Sequence, residues 1–337
     1  MSSKLRIAVV ANAKSIHTIR WVKWLRKKNH EVTIFSLNEA EDCVYFGPEP
    51  ALDRSLIFNL GKNVRKTTSE LQAKIDEFKP DIVHGFFLVN HGMYASRVEG
   101  YPKVMTAMGS DILIAPKESK LLSWIVKRAI KNSDSIFGPP LLVDEIEKWN
   151  LNTELNKNVI GINCSIFKPL EKTKTIVFAR GFKEVYNPIV VSKAIEVLSS
   201  KLDNYEFILC GDGPLKAESE RILSYCKNVQ FTGQIGETKL AEIIGKAELV
   251  LSPSLSDSIP LTILEAVASG TPVVASDIPA NQKWVDKKLP VFLFETGDSE
   301  SLVEKILKVI KDDSILENTV ETGPKLIKEK YGWGKEA

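Results

Sequence analysis

Short apolar runs alternate along this chain with longer stretches whose apolar residues recur every three to four positions. The run over 5–10 is apolar almost throughout, as expected of a strand covered on both faces. Over 16–28, Ile16, Ile19, Val22 and Leu25 fall on one helical face. Further strands are expected at 32–35, 81–84, 104–107 and 135–137, with helices near 67–78 and 118–131. A second series follows, with strands at 175–179, 207–210, 229–232, 249–251, 272–275 and 291–294. Its helices are expected near 188–201, 216–226, 239–246, 261–269 and 299–311. Repeated strand–helix–strand units predict parallel sheets covered by helices. Phe167-Lys168-Pro169-Leu170-Glu171-Lys172 reads as a linker, marked by proline and charge. The expected fold is therefore α/β, two doubly wound Rossmann-like domains over residues 1–168 and 169–337, facing a cleft.

Composition adds exclusions. The chain has 337 residues, 44% hydrophobic and 26% charged, which suits folded domains and not a disordered chain. No apolar run reaches membrane-spanning length, and the first strand is too short for a signal-peptide core. A cytoplasmic protein is the expectation. Cys43, Cys164, Cys210 and Cys226 are scattered, so reduced thiols are expected and no zinc site. Residues 1–168 carry 24 Lys and Arg against 18 Asp and Glu, a net +6, and the remainder 21 against 25, a net −4. A basic first domain suits an anionic surface or acceptor. The preference for lysine over arginine speaks against nucleic acid.

Ligands of such sheets bind beyond the carboxyl ends of the strands. The loop after the first strand, Ala11-Asn12-Ala13-Lys14-Ser15, has no glycine, so no dinucleotide fingerprint is present. No phosphate loop and no nucleophile elbow occur either. Cys210-Gly211-Asp212-Gly213-Pro214 closes a strand and opens a helix. Its glycines serve either a ligand's approach or a tight turn. The richest stretch is 252–275. A polar loop precedes Ile259-Pro260, where a helix begins. Amides at Ser258, Ile259, Leu261 and Thr262 would face an anion, with Asp257 in the loop and Glu265 one turn into the helix. Phosphates beside several hydroxyls, a nucleotide sugar, would suit that arrangement.

These residues resemble family 4 of the retaining, GT-B-fold glycosyltransferases. The family's paired-carboxylate motif is matched by Asp257 and Glu265, followed by Ala266, Gly270, Pro272, Val273 and Val274. Arg180, Gly211-Asp212-Gly213-Pro214 and Phe231-Thr232-Gly233 support it, as do Pro80-Asp81-Ile82-Val83-His84, Gly109-Ser110-Asp111 and Gly161-Ile162-Asn163. The resemblance implies that Glu265 holds the donor ribose and Asp257 the donor sugar. Arg180 would neutralise the diphosphate, with Asp111 as a further catalytic residue. Gly211, Gly213 and the backbone at Gln234 and Ile235 would line the donor. It also implies no metal and no cofactor, because fixed cations and helix termini stabilise the leaving group. A UDP-sugar is favoured over GDP-mannose.

Three positions depart from the family. Asp257 is one methylene shorter than the usual Glu. Tyr186 stands where a Lys is frequent, leaving Lys183 as a substitute cation. Met108 replaces a His beside Gly109-Ser110-Asp111. Met108 and Tyr186 support one rival, a silent nucleotide-sugar binder; a sugar-nucleotide epimerase is another, and the scarcity of histidines for acid and base work speaks against it. Lys14, His17 and His84 are acceptor-side candidates, though His84 equally suits a core position. Asn90 and His91 read as a helix cap. The helices with Trp21, Trp24 and Trp124 among lysines read either as packed helices or as faces for anionic lipid, which would make the acceptor lipid-linked and the protein peripheral at the membrane. The family's Trp-containing segment before a last crossover helix is matched only at Tyr331-Gly332-Trp333, and the sequence stops at Ala337.

Overall fold

The computed structural model describes residues 4–48, 62–157 and 161–332; Trp333 lies outside them. The chain divides into two compact units, Met1–Asn158 and Val159–Ala337. The 167–172 stretch read as a linker falls in the second unit, and Phe167 is buried in its core.

The first unit holds β1 (Arg6–Val10), β2 (Glu31–Ser36), β3 (Val44–Tyr45), β4 (Ile82–Phe86), β5 (Lys103–Thr106), β6 (Ser135–Gly138) and β7 (Glu154–Lys157), ordered β3-β2-β1-β4-β5-β6-β7. All its pairings are parallel. Ala8, Val9 and Val10 are fully buried because helices cover both faces of the sheet. The order reverses between β1 and β4, so the crevice of this sheet opens between the loops that follow those two strands.

The second unit holds β8 (Thr173–Ala179), β9 (Glu206–Cys210), β10 (Val229–Gly233), β11 (Ala247–Ser252), β12 (Val273–Ser276) and β13 (Val291–Phe294), ordered β10-β9-β8-β11-β12-β13 and again parallel. Its reversal lies between β8 and β11. The Leu261–Ala268 helix is buried at every residue. The Asp313–Lys330 helix covers part of it, and Gly323 permits the approach, since a Cβ there would stand 2.8 Å from the Val267 carbonyl oxygen.

The periodic elements lie where the sequence places them, within a few residues at their ends. Edge strands β3 and β7 and the helices Pro279–Asp286 and Asp313–Lys330 were not expected. All four cysteines are free.

Candidate active site

The reversal point of the second sheet gathers most of the expected donor residues. Arg180 follows β8, and Asp257 lies in the loop after β11. Their side chains form an ion pair through Arg180 Nη2 and Asp257 Oδ2, and only 12% and 11% of their side-chain surfaces remain open. Asp257 Oδ1 accepts the Ser258 amide at 2.8 Å, which fixes the carboxylate to its own loop. The Arg180 guanidinium also lies 4.2 Å from the centroid of the Tyr186 ring. Among the described residues, Arg180 Nε is buried and finds no acceptor. A buried donor left without a partner costs free energy that an incoming oxygen would recover.

The helix beyond this loop begins at Leu261, with Pro260 as its N-cap. Its first amides point out of the helix end, where the helix dipole favours negative charge. Thr262 Oγ1 donates to the Ala179 carbonyl at 3.4 Å, so the helix start is seated against the end of β8, next to Arg180. Glu265, three residues further on the same face, is 3% exposed. Ser258 and Ile259 are half-buried in the loop, and Leu261 is buried. Of the remaining candidates on this side, Gln234 and Lys183 are exposed, and Ile235 packs against the domain core.

The glycines after β9 have a packing role. A Cβ on Gly211 would collide with the Arg180 carbonyl oxygen, and one on Gly213 would stand 2.6 Å from the Phe182 carbonyl oxygen. Two hydrogen bonds close the same junction, Phe182 N to Asp212 O and Leu215 N to Phe182 O, both at 3.0 Å. Gly211 and Gly213 therefore let the β9 loop press against the backbone that carries Arg180.

In the first unit Asp111 is held by backbone. It is fully enclosed, and its carboxylate accepts the amides of Gly109 at 2.8 Å, Leu88 at 3.0 Å and Met108 at 3.1 Å. Burial pushes its carboxyl above the usual carboxylate range, against the pull of these amides. Asp111 ties the loop after β4 to the loop after β5, and its oxygens are occupied by backbone. These bonds fix the turn that follows β5.

His84 lies on β4 beside Val9 of β1. Its Nε2 is 2.7 Å from Thr106 Oγ1, and its ring packs edge-on against Phe86 and Trp21 at centroid distances of 4.5 and 6.2 Å. Desolvation by these neighbours holds its imidazole down at about 4, so it is neutral near pH 7. Lys14 is exposed in the β1 loop, and His17 is half-buried one helical turn before Trp21. The structure thus places His84 in an aromatic cluster with Trp21 and Phe86, while Lys14 is open to solvent. His91 is a core residue: 3% exposed, it accepts the Leu37 amide at 3.2 Å on Nε2. Asn90 occupies the N-cap of the His91–Ala95 helix without a side-chain cap bond.

The two tryptophan-bearing helices part company. Trp21 and Trp24 are half-buried against the sheet and meet edge-to-face at 5.9 Å, so the Ile16–Lys27 helix turns its aromatic face inward. On the Lys120–Lys131 helix, Trp124 is 50% exposed, and Lys120, Arg128 and Lys131 are exposed on the same stripe. Among the described residues no helix is long and apolar enough to cross a membrane.

Tyr186, which in the sequence is only the absence of a frequent Lys, lies with its ring against the Arg180 guanidinium. The available signal was an aromatic ring six residues after the arginine, just beyond a turn.

Two family models cover most of the chain: "Glycosyl transferase 4-like" over residues 6–138 and "Glycosyl transferases group 1" over residues 165–326. Sulfoquinovosyl transferase SQD2 of Arabidopsis thaliana is 24% identical over 355 residues, covering 93% of this chain and 66% of that protein. Sucrose-phosphate synthase from Thermosynechococcus elongatus has a similar fold, with a TM-score of 0.77, 16% identity, and coverage of 98% of this chain and 96% of that one. Anabaena Alr3699/HepE, solved in complex with UDP and glucose, has a TM-score of 0.76 at 13% identity, covering 97% and 96%. Both domain models, the two reversed parallel sheets and the carboxylate-bearing loop agree: the chain belongs to the group 1, family 4-like glycosyltransferases, transferases built on the two Rossmann-like domains of the GT-B fold.

Proposed function

We propose that this protein transfers a sugar from a nucleotide-diphosphate sugar to an acceptor hydroxyl with the anomeric configuration retained, and that it does so without a metal. The observation that carries this reading is the part-buried Arg180 at the sheet reversal, with its buried Nε–H unpartnered among the described residues, beside the start of the Leu261–Ala268 helix. A fixed guanidinium and a helix N-terminus supply the charge that a departing diphosphate needs. In this reading Glu265 accepts the ribose hydroxyls and Asp257, anchored by the Ser258 amide, faces the donor sugar. Gln234 and Ile235 border the base. UDP is the favoured nucleotide, supported by the fold shared with HepE and its bound UDP. In this reading Lys14, His17 and His84 serve the acceptor, from the loop after β1, the helix that follows it and β4. A neutral His84 would accept or donate a hydrogen bond there without carrying charge.

Titration calorimetry with UDP, followed by assay of UDP release from a UDP-sugar, tests the assignment. Wild-type protein should bind UDP and release it slowly, whereas an epimerase would interconvert sugars and a silent binder would do neither. Glu265→Gln should weaken UDP by about tenfold or more, since charge-assisted hydrogen bonds are worth roughly 1.5–3 kcal/mol. Unchanged UDP affinity in that variant would remove Glu265 from the ribose.

A second reading concerns the acceptor. The exposed stripe of Lys120, Trp124, Arg128 and Lys131 suits an anionic lipid surface, and the Arg128 guanidinium already rests 5.3 Å from the Trp124 ring centroid. Each cation near such a surface contributes about 1 kcal/mol, and the indole inserts shallowly. The protein should therefore sediment with phosphatidylserine-containing vesicles at low salt and stay in solution at roughly half-molar salt. Lys120→Glu, Arg128→Glu and Lys131→Glu together should abolish sedimentation. Wild-type protein left in the supernatant at low salt would point to a soluble acceptor.

A further inference from the structure

We infer that Tyr186 is a positioning residue: its ring face holds the Arg180 guanidinium in the orientation that receives the donor's diphosphate. This rests on the reading of the second unit as the nucleotide-sugar site.

The Tyr186 ring is held in place by the backbone around it. The Glu184–Tyr186 segment is a single 3-10 turn, closed by the Tyr186 amide donating to Lys183 O at 2.9 Å. Asn187 then adopts a left-handed conformation, φ 50°, which turns the chain into the Pro188–Leu198 helix. The Leu255 amide donates to Val185 O at 2.8 Å, so the Tyr186 turn is tied to the loop that carries Asp257. Gly181, next to the arginine, packs its backbone along the ring, and a Cβ there would lie 3.6 Å from the ring edge. Two linked loops therefore converge on one guanidinium. Asp257 grips one terminal nitrogen, and the Tyr186 ring centroid lies 4.2 Å from the guanidinium carbon.

An aromatic face attracts a cation without using any of its N–H groups. A second carboxylate would hold Arg180 as firmly but would occupy donors and repel the diphosphate. A lysine at 186 would add charge and leave the arginine's orientation to Asp257 alone. With the ring in place, Arg180 Nε stays unpaired and Asp257 is free to change partners when the donor sugar arrives, while the guanidinium keeps its plane. Tyr186 thus compensates for a missing cation by immobilising the one that remains.

The test compares Tyr186→Phe, which keeps the ring, with Tyr186→Leu, which removes it. Tyr186→Gln is a second ring-less variant in case Tyr186→Leu unfolds. Calorimetric affinities are measured for UDP and uridine, or for GDP and guanosine if UDP does not bind. The ring-less variants should weaken the diphosphate by about fivefold to thirtyfold and change the nucleoside by less than about twofold, the range set by a partly desolvated cation–π contact. Tyr186→Phe should stay within about twofold of wild type for both ligands. In an Arg180→Ala background, Tyr186→Leu should have no further effect on the diphosphate, because the residue acts through the arginine. Equal losses in Tyr186→Phe and Tyr186→Leu, equal losses for diphosphate and nucleoside, or an undiminished effect without Arg180 would each overturn the proposal. If Arg180→Ala itself fails to separate diphosphate from nucleoside, the site reading falls. If Arg180→Ala separates them and Tyr186→Leu does not, only the role of Tyr186 falls.

Discussion

Arg180→Ala should weaken UDP by about a hundredfold while uridine loses less than about threefold, because the deleted charge faces the diphosphate and not the base. The size follows from the environment. Only 12% of the Arg180 side chain is open to solvent, so its hydrogen bonds to phosphate oxygens are poorly screened. One of those donors, Nε, has no protein acceptor to give up. A second effect has to be separated from the first. Removing the arginine leaves Asp257 with 11% of its side chain exposed and its cation gone. A carboxylate stranded in that way destabilises the fold by about 2–4 kcal/mol, somewhat less than a fully buried orphan. Arg180→Ala with Asp257→Asn removes the stranded charge, so its thermal unfolding should return towards wild type. Its UDP affinity should not recover. Recovery of affinity in the double variant would mean that the single variant acts through misfolding of the loop, and Arg180 would lose its diphosphate role.

The central strands were legible because strands buried on both faces leave continuous apolar runs, as Ala8-Val9-Val10 does in β1. Edge strands leave no such trace. Glu-Leu-Asn-Lys in β7 pairs on one side only and remains half solvated, and β3 is two residues long. The Asp313–Lys330 helix was hidden for another reason. It contains Gly323 and Pro324, both poor helix formers, and it is held by close contact with the Leu261–Ala268 helix. That contact is tertiary, and a propensity argument does not see it.

The candidate site was legible where chemistry alone identifies a residue. Two carboxylates around a helix start stand out in any register, whereas Arg180 was marked by the family resemblance. Residues acting through geometry did not stand out. The glycines at 211 and 213 announced a close approach, but the approaching group is the Arg180–Phe182 backbone. Tyr186 looked like a lost charge until the turn at Glu184–Tyr186 brought its ring to the guanidinium. Trp21 and Trp124 lie in helices of similar composition, and only their packing separates an inward face from an exposed one.

Asp111→Ala should be the most destabilising of these substitutions, at about 3–5 kcal/mol. The side chain is fully enclosed, and the amides of Leu88, Met108 and Gly109 all donate to it. Alanine would leave three inward-facing donors unsatisfied at the junction of two loops. Gly109, at φ 141°, holds a backbone geometry that the carboxylate helps to fix. Against a typical domain stability of about 5–15 kcal/mol, such a loss is large. Asp111→Asn should cost less, because it keeps one accepting oxygen while turning an NH2 towards the amides. The pH dependence has a definite sign. Burial raises the native carboxyl above its ordinary 3.8, so the folded state holds that proton more tightly than the unfolded chain does. This contribution is fully present below 3.8 and is lost as pH rises through the raised native value. The gap in unfolding free energy between wild type and Asp111→Asn should therefore narrow as pH rises through that window, measured by urea unfolding at matched ionic strength. The two roles considered for this residue then separate cleanly. If Asp111 positions the loop, Asp111→Asn loses stability and turnover together, and turnover recovers in part when the folded fraction is restored by cooling. If Asp111→Asn keeps wild-type stability yet loses turnover, the carboxylate acts on substrate after all, and its enclosure must open during the reaction.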